Sequence, residues 1–414
     1  MQGLTYALFI HDSVRWEKDM NEVLIIDGTR TLVGRFGGAF KDISASDLGA
    51  IAIKESIKRA GIEPKMVDEV VFGNAMQSAE AGYSARLATL KSGIPEETPT
   101  IAVNRQCSSG LEAINFGAQL IQTGEANIVV AGGTESMSQV PFMVDYKARF
   151  DGLRMGDSTL RDGLTEGLGC PVNRYHMGIT AENVAERFGV SREDQDNLAV
   201  ISHQRAGEAI RTGRFENQIT EVTVPQRRGD PITVSVDEGP RPETTLESLQ
   251  NLRPVFKKDG TVTAGNASSI NDGAAAIVMM SKDAASSLGL TAKMKWSRRG
   301  VAGVEPAIMG TGPVPAVQKV LAKQGMTISD IDAIELNEAF ASQALHCIRE
   351  LDFDMEKTNI NGSGISLGHP VGATGAILTV KVMEELIRTD TSTGLVTMCV
   401  GGGQGVATIF ERMN

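Results

Sequence analysis

Short β-branched runs alternate along this chain with stretches whose apolar positions recur every three or four residues. Val23 to Ile26 reads as a buried strand, Leu48 to Ala60 as an amphipathic helix, and Glu69 to Phe72 as a second strand. Thr100 to Val103 predicts another short strand, Leu111 to Ile121 repeats at helical spacing, and Asn127 to Ala131 returns to a buried strand. This alternation predicts an α/β fold whose sheet is mostly parallel and covered on both faces. From about 141 to 265 the pattern breaks, with more proline, glycine and charge. One helix there is clear, from the N-cap Ser191 through an acidic first turn to Ile210. Asp237 to Pro242 holds two prolines and a glycine and is expected to be irregular. After 270 the alternation returns. Ala274 to Met280, Ile331 to Leu336, Leu395 to Val400 and Gly405 to Phe410 predict strands. Val314 to Gln324, Ala339 to Leu351 and Gly372 to Ile387 predict helices. Two α/β halves therefore flank an inserted segment, related by architecture and without strong identity between them.

Composition narrows the function classes. A chain of 414 residues that is 41% hydrophobic can bury a large core and is long enough for two to three domains. Its net charge of −11 argues against nucleic acid or an anionic membrane as the main partner. An anionic small substrate stays open, because nine Lys/Arg balance nine Asp/Glu between 201 and 260, a neutral stretch in an acidic chain. No apolar run approaches the roughly 20 residues needed to span a bilayer. Residues 1–21 are expected to form a disordered extension ahead of the first strand, with Met20 beside the start of the ordered pattern. The last residues carry no peroxisomal or reticular retrieval signal. The four cysteines, Cys107, Cys170, Cys347 and Cys399, share no CxxC spacing. Zinc binding and a disulfide framework are accordingly disfavoured, and a reducing cytoplasm is the simplest setting.

Four polar landmarks set reactive side chains among glycines and other small residues, where a backbone can approach a ligand closely. They are Asn104-Arg105-Gln106-Cys107-Ser108-Ser109-Gly110, Asn337-Glu338-Ala339-Phe340-Ala341, Gly368-His369-Pro370 and Cys399-Val400-Gly401-Gly402-Gly403. Cys107 lies between a strand and a helix N-terminus, a setting expected to lower a thiol's pKa and make it nucleophilic. The plainer reading is a packed core cysteine. Pro370 confines the His369 backbone to extended conformations, so the imidazole is aimed, either at a thiol whose proton it could take or simply at a helix entry. Cys399 ends a strand and runs into glycines whose N–H groups could meet an oxyanion. It is a second candidate acid or base, or a strand-end core residue. Asn337 could orient water or a carbonyl, or could cap a helix, and Glu338 could complement that helix's dipole. Cys347 and Cys170 read as structural.

Taken together, these motifs make the chain resemble the thiolase family from about residue 22 to its end, with the short-chain acetyl-CoA acetyltransferase branch nearest. The resemblance implies a five-layered αβαβα thiolase fold. Residues 22–140 with 250–290 would form the N-terminal half, 141–249 an inserted CoA-binding loop domain, and 291–414 the C-terminal half. It implies reversible Claisen condensation of two acetyl-CoA to acetoacetyl-CoA and CoA, by a ping-pong route through a cysteine thioester. A broader 3-ketoacyl-CoA thiolase of fatty-acid breakdown is the alternative. In that scheme Cys107 carries the acyl group, His369 activates it, and Cys399 moves the α-proton. Asn337 fixes a water that with His369 forms one oxyanion hole, and the N–H groups of Cys107 and Gly401 form the other. His176, Met177, Arg241, Ser248, Ala264, Gly265, Ser268, Met309, Ala339 and Phe340 would contact CoA or the acyl group, with His176, Met177 and Met309 keeping the acyl pocket small. The resemblance implies no metal and no cofactor beyond CoA itself, which is substrate and product. A homo-oligomer, dimer or tetramer, is expected by the same likeness.

Overall fold

The computed structural model describes residues 20–413; the expected disordered extension falls almost wholly outside them. The first strand, β1 (Val23–Arg30), is followed by α1 (Ala45–Ala60), β2 (Glu69–Gly73), α2 (Ser84–Lys91), β3 (Thr100–Val103), α3 (Ser109–Thr123) and β4 (Ile128–Ser136). The chain then leaves the sheet for a long excursion that carries α4 (Met177–Phe188) and α5 (Arg192–Arg211). It returns as β5 (Asn271–Ser281) and β6 (Met294–Gly303). The remainder is α6 (Pro313–Gln324), β7 (Ala333–Leu336), α7 (Ala341–Glu350), α8 (Thr374–Thr389), β8 (Thr393–Val400) and β9 (Gln404–Arg412).

Hydrogen bonding orders the strands β7-β8-β9-β6-β1-β5-β4-β2-β3. The two halves share one plan. The first runs β3-β2-β4-β5-β1; the second runs from a single parallel bridge at Thr358 through β7-β8-β9-β6. They join where Val23 to Ile25 of β1 pairs antiparallel with Met294 to Trp296 of β6. The sheet is mixed, which corrects the expectation of a mostly parallel one. Among the pairs of described strands, only β2 with β3, β2 with β4, and β7 with β8 are parallel. Alternating strands and helices signal crossovers, but β9 follows β8 through a tight glycine turn with no crossover, and β5 returns from the excursion. The β6 strand escapes the hydrophobic pattern because polar Lys295, Ser297, Arg298 and Arg299 interrupt it, with Met294, Trp296 and Gly300 turned inward.

Helices fill three layers around the two halves. On one outer face α1 lays Leu48, Ile53 and Ile57 onto Phe72, Val130 and Val278. Its ends are set by the Ser44 side chain, which accepts from the Asp47 N–H, and by left-handed Gly61. On the other outer face α6 and α7 pack Val317, Val320, Ala344 and Ile348 against Leu336, Leu395 and Ile409. Between the halves lie α3 and α8, contributing Leu111, Ile114, Ile377 and Met383 to one central core. A helix enclosed on all sides must be apolar nearly all round, and α8 is buried from Thr374 to Met383. Its Lys381 is tolerated there because Nζ donates to Glu335 at 2.7 Å and to the Gly362 carbonyl at 2.6 Å.

The central layer meets its neighbours through glycine. A Cβ on Gly133 would lie 2.2 Å from the Gly372 carbonyl oxygen, and one on Gly375 would lie 2.5 Å from the Leu111 nitrogen. Removing those carbons lets backbone touch backbone where the two halves bring their polar landmarks together. The excursion is moored to β1 by a buried ion pair, in which Arg30 donates to both Asp237 carboxylate oxygens at 2.8 and 2.9 Å. As expected, Asp237 to Pro242 forms no regular element, and α5 opens on a capping box between Ser191 and Asp194.

Candidate active site

Cys107 follows β3 on a turn held by its neighbours' side chains. Asn104 Oδ1 accepts from the Gln106 N–H at 3.0 Å, and Ser109 Oγ accepts from Arg105 N–H at 3.0 Å while donating to the Gln106 carbonyl at 2.6 Å. These clips force Gln106 to a φ of 45°, left-handed backbone that a non-glycine residue rarely adopts. Strain is thus stored immediately before the thiol. Ser108 adds a further tie, its Oγ donating to the Arg105 carbonyl at 3.1 Å.

Gly401 sits at the β8–β9 turn, where Gly402 and Gly403 take φ values of 87° and 88° that only glycine adopts readily. Its N–H and the N–H of Cys107 both lie against the Cys107 sulfur and favour the anion. Burial opposes them, as does the Glu135 carboxyl, and burial wins: the thiol is pushed above its ordinary range. The expected lowering by the helix N-terminus is therefore corrected, because desolvation outweighs partial charges two residues away. Cys399 is fully buried, and its thiol is pushed well up by burial, then by the proximity of Cys107 and Cys347.

His369 is buried, and burial brings its pKa down to about 4, so the ring is neutral near pH 7. Its backbone is fixed from both sides. The His369 N–H donates to Asn271 Oδ1 at 2.8 Å, and a Cβ on Gly368, whose φ is 111°, would lie 2.4 Å from the Asn271 side chain. Ring Nδ1 lies 2.6 Å from Thr374 Oγ1, and Nε2 lies 3.4 Å from Asn337 Nδ2. The Asn337 side-chain oxygen Oδ1 is buried with no partner, an acceptor that a bound molecule or water would complete. Val371, two residues on, packs in the cluster that Cys107 borders.

Glu338 departs from the helix-dipole reading. It is buried three residues before α7 begins, accepting from Ser202 Oγ at 2.6 Å and Asn359 Nδ2 at 2.9 Å, so it ties the α5 helix to the Asn337 loop. Glu135 is a second buried tie: it accepts from Asn74 Nδ2, Ala75 and Met76 N–H, and the Gly372 N–H at 2.7 Å. Burial pushes its pKa up to about 7.

Met309, Ala339, Phe340 and Cys399 share one apolar cluster, with Met177 packed against it. The His176 ring stacks on Phe256 at 4.7 Å, and Phe256 meets Phe340 edge-on at 6.3 Å. The segment holding Ala264, Gly265 and Ser268 is sewn to this wall, since the Ser268 N–H donates to the Ala339 carbonyl at 2.9 Å. Arg241 and Ser248 stand apart and exposed. The Arg241 N–H donates to His203 Nδ1 at 3.2 Å, and Ser248 closes a capping box with Thr245. Its neighbour Leu249 is close enough to Gly265 that a Cβ there would sit 2.5 Å away, so Ser248 borders the rim of the same wall. Sequence reasoning missed Phe256, Asn271, Thr374 and Glu135. Thr374 lay within the helix expected from Gly372 to Ile387, but only the fold sets it against an imidazole.

Two thiols, a neutral imidazole and converging N–H donors make a site suited to covalent acyl chemistry. The model of the thiolase N-terminal domain matches residues 23–283, and that of the thiolase C-terminal domain matches 290–412. The chain belongs to the thiolase family. As a thiolase it is an acyltransferase, and relatives and solved structures agree with that over nearly its whole length. It is 47% identical to an acetyl-CoA acetyltransferase of Pseudomonas aeruginosa over 95% of this chain and 100% of that one. The crystal structure of the Bacillus anthracis acetyl-CoA acetyltransferase superposes with a TM-score of 0.93 at 43% identity, covering 95% of this thiolase and 100% of the other. Human mitochondrial 3-ketoacyl-CoA thiolase in complex with CoA superposes with a TM-score of 0.91 at 43% identity, covering 95% and 98%. No helix among the described residues is long and apolar enough to cross a membrane. No group of three or more His, Cys, Asp or Glu among them could hold a metal ion.

Proposed function

We propose that this thiolase interconverts two acetyl-CoA with acetoacetyl-CoA and CoA, with no cofactor beyond the CoA thioesters. In this reading His369 Nε2 takes the proton of Cys107, and the sulfur attacks the acetyl carbonyl. The bond to CoA sulfur then breaks, and the departing CoA thiolate recovers that proton from His369. The N–H groups of Cys107 and Gly401 hold the tetrahedral oxyanion. Cys399 then passes its own proton to His369 and, as the thiolate, takes a methyl proton from a second acetyl-CoA. Its enolate oxygen is held by the now protonated Nε2 of His369 and a water on Asn337, and its carbon displaces Cys107 from the acyl group as a thiolate that takes the proton back from His369. Two sites of developing negative charge call for two sets of donors. A thiol with a raised pKa is a proton donor at rest, which suits Cys399 to protonating the enolate in the thiolysis direction.

The observation that carries the short-chain reading is the wall beside Cys399. Met309 is 2% exposed and packs there with Phe340 and Met177, leaving little room for a longer acyl chain. A broader 3-ketoacyl-CoA thiolase is the second reading, favoured by the equal 43% identity to the human mitochondrial enzyme. His176, Ala264, Gly265, Ser268 and Ala339 would line the pantetheine path, with Arg241 and Ser248 at its mouth near the nucleotide. This reading goes with the division into halves at 22–140 with 250–290 and 291–414, a loop domain at 141–249, a cytoplasmic setting and a homo-oligomer.

Acetoacetyl-CoA should be cleaved faster than a long-chain 3-ketoacyl-CoA; equal or better long-chain rates would replace the first reading with the second. After incubation with acetyl-CoA, Cys107→Ala should show no acetyl mass adduct, while Cys399→Ala should form the adduct and fail to condense it. An adduct persisting in Cys107→Ala would reassign the nucleophile.

A further inference from the structure

We infer that Thr374 is a positioning residue for this reaction: it holds the His369 imidazole in the tautomer protonated at Nδ1, so that Nε2 is the proton acceptor. The inference rests on the proposed pairing of His369 with Cys107 and supplies what that pairing lacks, a reason for the ring to present a lone pair.

Thr374 is the first residue of α8 and is 2% exposed. Its hydroxyl donates to the Pro370 carbonyl one turn back at 2.8 Å. A hydroxyl has one proton to give. With that proton directed at the Pro370 carbonyl, which also accepts from the Ala373 and Thr374 N–H groups at 2.9 Å, the 2.6 Å contact to His369 Nδ1 is read with the ring nitrogen donating and the hydroxyl oxygen accepting. The other end of the ring is compatible with this: Asn337 Nδ2, an amide donor, lies 3.4 Å from Nε2, where a lone pair would meet it.

The choice of a hydroxyl over a carboxylate also has a consequence. A carboxylate on Nδ1 would stabilise the imidazolium formed when Nε2 takes a proton. A neutral hydroxyl, itself committed to a carbonyl, orients the ring without that charge. His369 then holds the thiol proton briefly and returns it to the departing CoA sulfur. Threonine further restricts its own rotamer through the branched Cβ and the bond to Pro370, so the acceptor oxygen is fixed before the ring arrives.

The test compares wild type, Thr374→Val, Thr374→Ser and His369→Ala in a single-turnover measurement of Cys107 acetylation by acetyl-CoA. Thr374→Val should slow acetylation about 10- to 100-fold, the usual scale for losing a group that orients a reacting side chain, with KM for acetyl-CoA changed by less than about twofold. Thr374→Ser, which keeps the hydroxyl, should recover most of the rate. Thr374→Val acetylating like wild type while His369→Ala remains slow would overturn the role of Thr374 and leave the proposed function standing. His369→Ala acetylating like wild type would overturn the pairing itself. If Thr374→Val does not fold, spectra of wild-type protein labelled with ¹⁵N-histidine decide: an unprotonated Nδ1 on His369 sinks the inference, and a protonated one supports it.

Discussion

At the scale of single residues, the site is built from groups that burial holds in their neutral forms. His369 at about 4 and a Cys107 thiol pushed upward mean that neither is ionised at rest near pH 7. The ion pair forms only when a substrate carbonyl and the N–H donors of Cys107 and Gly401 make the thiolate worth creating. The same burial has a consequence for stability. Histidine has an ordinary pKa near 6.5, so below that pH the unfolded chain binds a proton that folded His369 refuses until about pH 4. Its contribution is therefore present above pH 6.5 and lost as pH falls through that window, by about 2 kcal/mol between pH 7 and pH 5. His369→Asn should accordingly lose less stability than wild type over that interval in urea unfolding; an identical loss would place the imidazole in water. Cys107, His369, Cys399 and Asn337 could be singled out in the sequence because each stood beside glycine, proline or a helix start. Thr374 and Asn271 could not. Their significance is a 2.6 Å contact to a ring and a 2.8 Å contact to a backbone N–H, and the second crosses 98 residues of chain.

At the scale of elements, periodicity located most helices and strands because their apolar faces are strong and their caps conventional, as in α1 and α5. It could not report which strands pair. The direction of β5 and β9 depends on where the excursion re-enters and on a glycine turn, and β6 hides its strand period behind three consecutive polar residues, Ser297 to Arg299, followed by Gly300. The packing of α3 on α8 was equally silent, being carried by missing side chains. Gly375→Ala would add a Cβ 2.5 Å from the Leu111 nitrogen and 2.6 Å from its Cβ. Because the obstacle is backbone, the helices must separate, at a cost of about 1–3 kcal/mol or more. Leu111 is four residues from Cys107 and Gly375 is six from His369, so activity should fall further than the stability loss alone explains. A variant with a lowered urea midpoint but unaltered kcat would show that the helix contact and the site are mechanically independent.

At the scale of the whole molecule, the sheet ends in an edge that looks unfinished. β3 is bonded to β2 on one side only among the described residues, and its Ile101 is 50% exposed. An edge strand that presents an isoleucine with neither lysine nor proline to block pairing invites another strand. Alongside it runs an open groove of about 690 Å³ that reaches Gln106 and Gly401. The same strand leads directly into the strained turn that carries Cys107, so whatever covers the edge also steadies the nucleophile. In the homo-oligomer proposed above, a second copy of this chain pairing β3 with β3 about a two-fold axis would satisfy both edges at once. A further apolar surface, with Phe142, Tyr146, Phe150 and Leu153 exposed in the excursion, could join such pairs into a tetramer. Light scattering on wild type should therefore give a dimer or tetramer at micromolar concentration. Ile101→Arg, which sets two like charges face to face across the axis, should release monomers and lower the rate of Cys107 acetylation with them. Phe150→Glu should at most reduce a tetramer to active dimers. A wild-type monomer with full activity would mean that the edge is left open and that the turn before Cys107 is held by its own serine and asparagine clips alone.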